Sequence, residues 1–127
     1  MHRSRLAGFI IDCQTDDLDR AAEFWRRALG YPIKLSTDPA DQNYVLLETA
    51  PSPLHIELQK VAHPSRVHLD IETDDIEAEV RRLETLGAKR VTQLRTWWVM
   101  EAPTGHRFCV VRPQRSAFAA EANEWDS

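Results

Sequence analysis

Arg66-Val67-His68-Leu69-Asp70-Ile71-Glu72-Thr73-Asp74-Asp75-Ile76 is the stretch from which the fold can be read. Apolar and polar residues alternate from Val67 to Glu72, the signature of a strand with two unlike faces. Thr73, Asp74 and Asp75 then supply N-cap candidates and carboxylates for the first turn of a helix. The stretch repeats a segment near the N-terminus: Ile11-Asp12-Cys13 corresponds to Leu69-Asp70-Ile71 and Asp17-Leu18 to Asp75-Ile76, both 58 residues apart. Two copies of one strand–helix unit in a short chain are the strongest organisational signal here.

After the first strand, predicted at 8–14, the apolar series Leu18, Ala21, Ala22, Trp25 and Leu29 has helical spacing. Gly30 and Pro32 stop that helix, predicted at 17–29. Short extended segments follow at 33–36, 43–48 and 54–60, with loops brief enough for an antiparallel meander. The order then recurs. A strand at 66–72 precedes a helix at 74–86, with Ile76, Val80, Leu83 and Leu86 on one side and Glu77, Glu79, Arg81, Arg82 and Glu84 on the other. Gly87 ends it, and strands are predicted at 90–94, 97–101 and 108–111. The last hairpin also repeats, 52 residues on: Pro51 falls on Pro103, Ile56 on Phe108 and Leu58 on Val110. The fold class is therefore α+β, with two tandem βαβββ modules at about 6–62 and 63–113 in one domain and a tail at 114–127. Within the tail, 117–124 reads equally as a short helix anchored by Phe118 and Trp125 or as a frayed terminus.

At 127 residues the chain buries roughly two-thirds of its unfolded surface, enough for a core without staples. The net charge of −4, with no basic stripe, argues against nucleic acid. Two cysteines, each among apolar neighbours, are too few for a disulfide framework and fit a reducing compartment. The apolar run Leu6 to Ile11 is too short for a leader core or a membrane span. A cytoplasmic protein that binds neither nucleic acid nor membrane is expected. No nucleophile elbow, phosphate-cradling glycine loop or Cys-x-x-Cys pair is present.

The words Asp12-Cys13, Phe24-Trp25, Ala28-Leu29-Gly30, Arg66-Val67-His68-Leu69-Asp70, Leu86-Gly87-Ala88, Val99-Met100 and Phe108-Cys109-Val110, in this order and spacing over about 8–113, resemble the vicinal oxygen chelate superfamily. That superfamily includes glyoxalases, ring-cleaving dioxygenases and bleomycin and fosfomycin resistance proteins; the branch resembled is that of glyoxalase-like domain proteins. The resemblance implies that each module curls its sheet around a concave surface, two modules making a partly open cup within one chain or across two, and a homodimer that takes a small-molecule ligand is expected. It also implies metal ligands on the first and fourth strands of each module. Those positions are held here by Ile10 and Glu57 in module one and by His68 and Cys109 in module two. Ile10 cannot bind a metal. The remaining three, Glu57, His68 and Cys109, form the candidate metal set, and its thiolate suits Zn²⁺ rather than Mg²⁺ or Mn²⁺. A cysteine placed as Cys109 is, between Phe108 and Val110, is more often a small buried hydrophobe than a ligand.

Alternation assigns the faces. Asp12, Gln14, His55, Glu57, Gln59, His68, Asp70 and Arg107 are predicted on the cup, with Phe9, Ile11, Cys13, Leu54, Ile56, Leu58, Leu69 and Ile71 in the core. One of the neighbours Trp97 and Trp98 belongs in the core and the other to the cup or to a partner surface. Two functions follow. One is a small-molecule enzyme of lyase or isomerase type with Glu57 and His68 as catalytic residues, and Asp12, His55, Gln59, Asp70, Trp97, Trp98 and Arg107 as ligand-binding residues. The other is a non-catalytic protein that sequesters a planar compound against a Trp. Asp12 and Asp70, matched in both copies, read more simply as architectural than as reactive. No cofactor is demanded by any motif beyond that candidate divalent ion.

Overall fold

The computed structural model describes residues 1–115 and 117–126. Its nine strands, among the described residues, form a mixed open sheet with helices, the α+β class that the repeat predicts. The chain divides into two compact units, one formed by Phe9–Val67 and the other by Met1–Gly8 together with the chain from His68 onward.

In the Phe9–Val67 unit, the second half of strand β1 (His2–Gln14) leads into helix α1 (Leu18–Leu29). Asp17 caps the helix by accepting from the Arg20 N–H at 3.1 Å, and Gly30 ends it in the left-handed conformation. Strands β2 (Ile33–Lys34), β3 (Tyr44–Leu47) and β4 (His55–Val61) form an antiparallel series, in the order β2-β3-β4-β1. The predicted strand at 33–36 shrinks to two residues, because Asp38 instead caps a 3-10 turn at Pro39–Asp41. The core joins Ile11, Cys13, Ala22, Leu47, Ile56 and Leu58, with Phe9, Trp25 and Leu54 packed on it. Every second residue of β1 and β4 thus turns under α1, which leaves Ile10, Asp12, His55, Glu57 and Gln59 on the opposite face.

The other unit repeats the plan. Strand β5 (Arg66–Thr73) passes through the cap residue Asp75, which accepts from the Ala78 N–H at 3.0 Å, into α2 (Ile76–Thr85). Strands β6 (Lys89–Leu94), β7 (Trp97–Glu101) and β8 (Arg107–Val111) follow, in the order β5-β8-β7-β6. The pair β5–β8 is parallel, with Asp70 opposite Cys109, and β7–β8 is antiparallel, with Val99 opposite Cys109. Val80, Leu83, Met100, Phe108 and Val110 form the core, joined by Ile71 and Trp98. Trp98 is therefore the inward member of the pair, and Trp97 lies half-buried on the open face with Val99 and Glu101. Leu69, predicted in the core, is 51% exposed: Ile71 reaches the α2 cluster, while Leu69, one repeat earlier on the strand, falls short of it.

Strand β1 begins at His2 rather than at residue 8, and the tail is ordered by the same contacts. Helix α3 (Phe118–Glu121) and strand β9 (Asn123–Trp125) follow β8, and β9 pairs with the start of β1, His2 against Trp125. Buried charge fixes this end. Arg5 donates to Glu72 at 2.7 Å and to Glu121 at 2.6 Å, and Arg115 reaches Glu72 at 3.2 Å. Glu79, which helical periodicity places on a solvated face, is fully buried. It meets His2 Nε2 at 2.8 Å and a two-pronged Arg82, whose guanidinium stacks 3.9 Å from the Trp125 ring. Burial alone would raise the Glu79 carboxyl, but the hydrogen bonds from Arg82, His2 and Ser4 outweigh it and hold it below the ordinary glutamate value.

Two stability predictions follow from these contacts. Glu79→Gln should lower unfolding free energy by about 3 kcal/mol in denaturant titrations at neutral pH. Because the folded carboxyl is the more acidic, its contribution is complete above the ordinary glutamate range and is lost on acidification. The variant should therefore lose less stability than wild type between neutral pH and the acid limb. The second concerns the α2 terminus. Gly87 sits at φ +105°, where an added Cβ would also meet the Pro103 ring at 3.1 Å, whereas Gly30 at φ +76° opens on empty space. Gly87→Ala should cost about 2 kcal/mol and Gly30→Ala about 1 kcal/mol, measured side by side by chemical denaturation.

Candidate functional site

The uncovered face of the Phe9–Val67 unit carries a short polar row. His55 and Glu57 are alternate residues of β4, so both project from that face, and His55 Nε2 lies 2.9 Å from Glu57 Oε1. Their side chains are 13% and 22% exposed, shielded enough to strengthen the pair yet open to a ligand. Next along the strand, Gln59 donates to the Tyr44 hydroxyl at 3.0 Å, and register sets Tyr44 directly opposite it on β3. Tyr44 carries no functional signal in the sequence. Its place on this face follows once β3 pairs antiparallel with β4, which the alternation of β4 alone could not reveal. Asp12, 2% exposed, lies on the same face of β1 with Arg66 Nε 3.7 Å away. Gln14 turns instead to the neighbouring loop, where its amide donates to the Ala62 carbonyl and its backbone N–H to Ser65 Oγ. A shallow cleft of about 640 Å³ opens beside it, lined by Gln14, Asp16, Asn43 and Lys60 among others, but not by His55 or Glu57.

In the other unit the uncovered face holds a second constellation. His68 and Asp70 alternate on β5, and the parallel register places Cys109 of β8 against Asp70. The donor atoms of His68, Asp70 and Cys109 all lie within 4.8 Å of one another. His68 Nε2 is 3.5 Å from Asp70 Oδ1, and that oxygen is buried and accepts no hydrogen bond. Arg107 shares the face but is occupied by Glu101 at 3.3 Å. The two cysteines differ in setting. Cys13 lies in an apolar core, where burial, and then the Asp12 carboxylate, push its thiol up and make it inert. Cys109 points away from the core that Phe108 and Val110 enter.

The metal positions that family resemblance suggests are divided between the two units, Glu57 in one and His68 and Cys109 in the other. Ile10 offers no donor, and Glu57 is engaged by His55 in the Phe9–Val67 unit. Among the described residues, His68 and Cys109 are joined in a ligand-like cluster by Asp70, a residue read from sequence as ligand-binding or architectural.

Paired βαβββ units with a helix over one face and polar side chains on the other define a protein of the vicinal oxygen chelate fold. A family model described as a glyoxalase-like domain matches residues 8–111, and the chain belongs to that family. No curated protein matches the sequence. Among solved structures, the methylmalonyl-CoA epimerase of Mycobacterium tuberculosis is similar at 21% identity, with a TM-score of 0.65, over 90% of this chain and 91% of the epimerase. The Streptomyces coelicolor methylmalonyl-CoA epimerase, solved with 2-nitronate-propionyl-CoA, is similar at 16% identity, with a TM-score of 0.60, over 85% of this chain and 96% of that one. A Legionella pneumophila structure described as an NAD-dependent benzaldehyde dehydrogenase has a TM-score of 0.60 at 12% identity, over 83% of this chain and 99% of that one. At these identities the likeness is one of fold. Among the described residues, no helix is long and apolar enough to cross a membrane.

Proposed function

We propose that this glyoxalase-like protein is a small-molecule isomerase or lyase that moves a proton at a carbon beside a carbonyl, with Glu57 as the base. The observation that carries the proposal is the His55–Glu57 pair at 2.9 Å on the uncovered face of β4. A carboxylate accepts a proton from carbon only if it is held in place and partly withdrawn from water, and the pair supplies both conditions. His55 fixes the carboxylate's orientation and supplies a second group through which the proton can leave. The Gln59–Tyr44 hydroxyl pair, next along the face, offers a donor to an enolate-like oxygen. The structures named above include epimerases of methylmalonyl-CoA, an acyl thioester, on the same fold, which makes acyl thioesters and other 2-substituted carbonyl compounds the first substrates to try. His68, expected from sequence as the second catalytic residue, belongs to the other unit and takes no part in the proposed step.

A second reading, sequestration of a planar compound, has Trp97 in its favour, since that ring lies on the open face and not in the core.

The test is exchange of solvent deuterium into a panel of 2-substituted acyl thioesters and ketones, followed by mass spectrometry. Wild type should exchange at least one of them, and Glu57→Gln should lower that rate by about 10²–10⁴-fold while leaving the melting temperature near wild type. If no compound exchanges while planar aromatics quench Trp fluorescence in wild type but not in Trp97→Ala, the protein is a binder.

A further inference from the structure

We propose that His68, Asp70 and Cys109 form a binding site for a single zinc-class divalent ion, contained within one βαβββ unit. The site differs from the four-strand set expected of the family, because it needs neither Ile10 nor Glu57 and takes Asp70 as a ligand.

Strand geometry builds it. His68 and Asp70 are two residues apart on β5 and so share a face. The parallel β5–β8 register sets Cys109 beside Asp70 on that same face. All three donor atoms lie within 4.8 Å of one another, and His68 Nε2 and Asp70 Oδ1 are 3.5 Å apart. Nitrogen, oxygen and sulfur ligands at bond lengths of about 2.0–2.3 Å around a tetrahedral ion stand about 3.3–3.8 Å from each other. The cluster would thus close by about one ångström, within the reach of side-chain rotation and without backbone movement.

Electrostatics points the same way. Asp70 is 7% exposed, and its Oδ1 is buried without a hydrogen bond. A buried carboxylate oxygen in that condition is costly, and a cation would satisfy it directly. One imidazole, one carboxylate and one thiolate carry two negative charges when ligating, which a divalent ion cancels. The donor types select the metal. Ca²⁺ and Mg²⁺ demand six or more oxygens, whereas mixed nitrogen, oxygen and sulfur sets suit Zn²⁺ and Co²⁺. Three protein ligands leave a fourth position for water or for a substrate oxygen.

Chelator-treated full-length protein should be titrated with Co²⁺ and followed by absorption. Wild type should bind one equivalent with a near-ultraviolet thiolate-to-cobalt charge-transfer band and intense visible bands of tetrahedral cobalt; Zn²⁺ should abolish both and Mg²⁺ neither. Loss of an outer-sphere group typically costs 10–100-fold in affinity, so Asp70→Asn and His68→Gln should each cost more than about 100-fold. Cys109→Ser should also remove the charge-transfer band. If Cys109→Ser does not fold, the other two variants carry the test, with circular dichroism verifying their structure. Glu57→Gln should titrate as wild type. Failure of wild type to bind cobalt saturably, unchanged affinity in Asp70→Asn, or loss of binding in Glu57→Gln would each overturn the site. None of these outcomes bears on proton transfer at Glu57, which deuterium exchange reads in metal-free protein.

Discussion

In each unit a helix packs on one face of the strands and not on the other, and this single asymmetry governs the protein. A strand presents its side chains alternately to its two faces, so every residue on β1, β4, β5 and β8 is committed to the core or to the open side. Ile56 and Leu58 enter the core beneath α1, and that packing holds His55 and Glu57 in register on the opposite face. Phe108 and Val110 do the same for Cys109 beneath α2. The apolar residues therefore position the chemistry as well as supplying stability: a one-residue slip would exchange the two sets.

Charge is the second determinant, and it acts where the sequence looks least structured. The first residues of β1 include two arginines and lie before the strand predicted at 8–14. Arg5 is matched by Glu72 and Glu121, and His2 by Glu79, so the strand extends to its second residue and carries β9 on its edge. Glu72 and Glu79 are fully buried, and several hydrogen-bond donors converge on each, the condition under which a buried carboxylate is tolerated. This network specifies where the chain ends dock, since an apolar contact would tolerate several registers and a pair of buried carboxylates does not.

These two determinants explain what could be read from the sequence. Helix α1 with its Asp17 cap and Gly30 stop, helix α2 with its Asp75 cap, and the two-faced strands β4 and β8 follow from local patterns of a few residues. Glu79 was misplaced because helical periodicity ranks it with its charged neighbours, while its partners His2 and Arg82 come from a distant strand and from one turn onward. Leu69 was misplaced for the converse reason: alternation gives the correct face, but how far α2 extends over that face is a tertiary fact. The same limit applies to the candidate site. His55, Glu57, His68 and Asp70 were each legible as polar strand residues, whereas the pairing of Gln59 with Tyr44 and of Asp70 with Cys109 depends on strand register, which no single strand encodes.

Asp12 and Asp70 show how a duplicated scaffold acquires two kinds of site. Both occupy the same place in their copies, and both are nearly inaccessible, at 2% and 7% exposure. Their surroundings differ. Asp12 has an arginine, Arg66, 3.7 Å away and an aliphatic residue, Ile10, two positions before it on the same face. Asp70 has His68 at the position equivalent to Ile10, and Cys109 where the fourth strand of the first copy places Glu57. A carboxylate beside a guanidinium is neutralised by a permanent charge and remains structural. What sets Asp70 apart is the imidazole and the thiol beside it, which together with the carboxylate make the donor set of the proposed cation site.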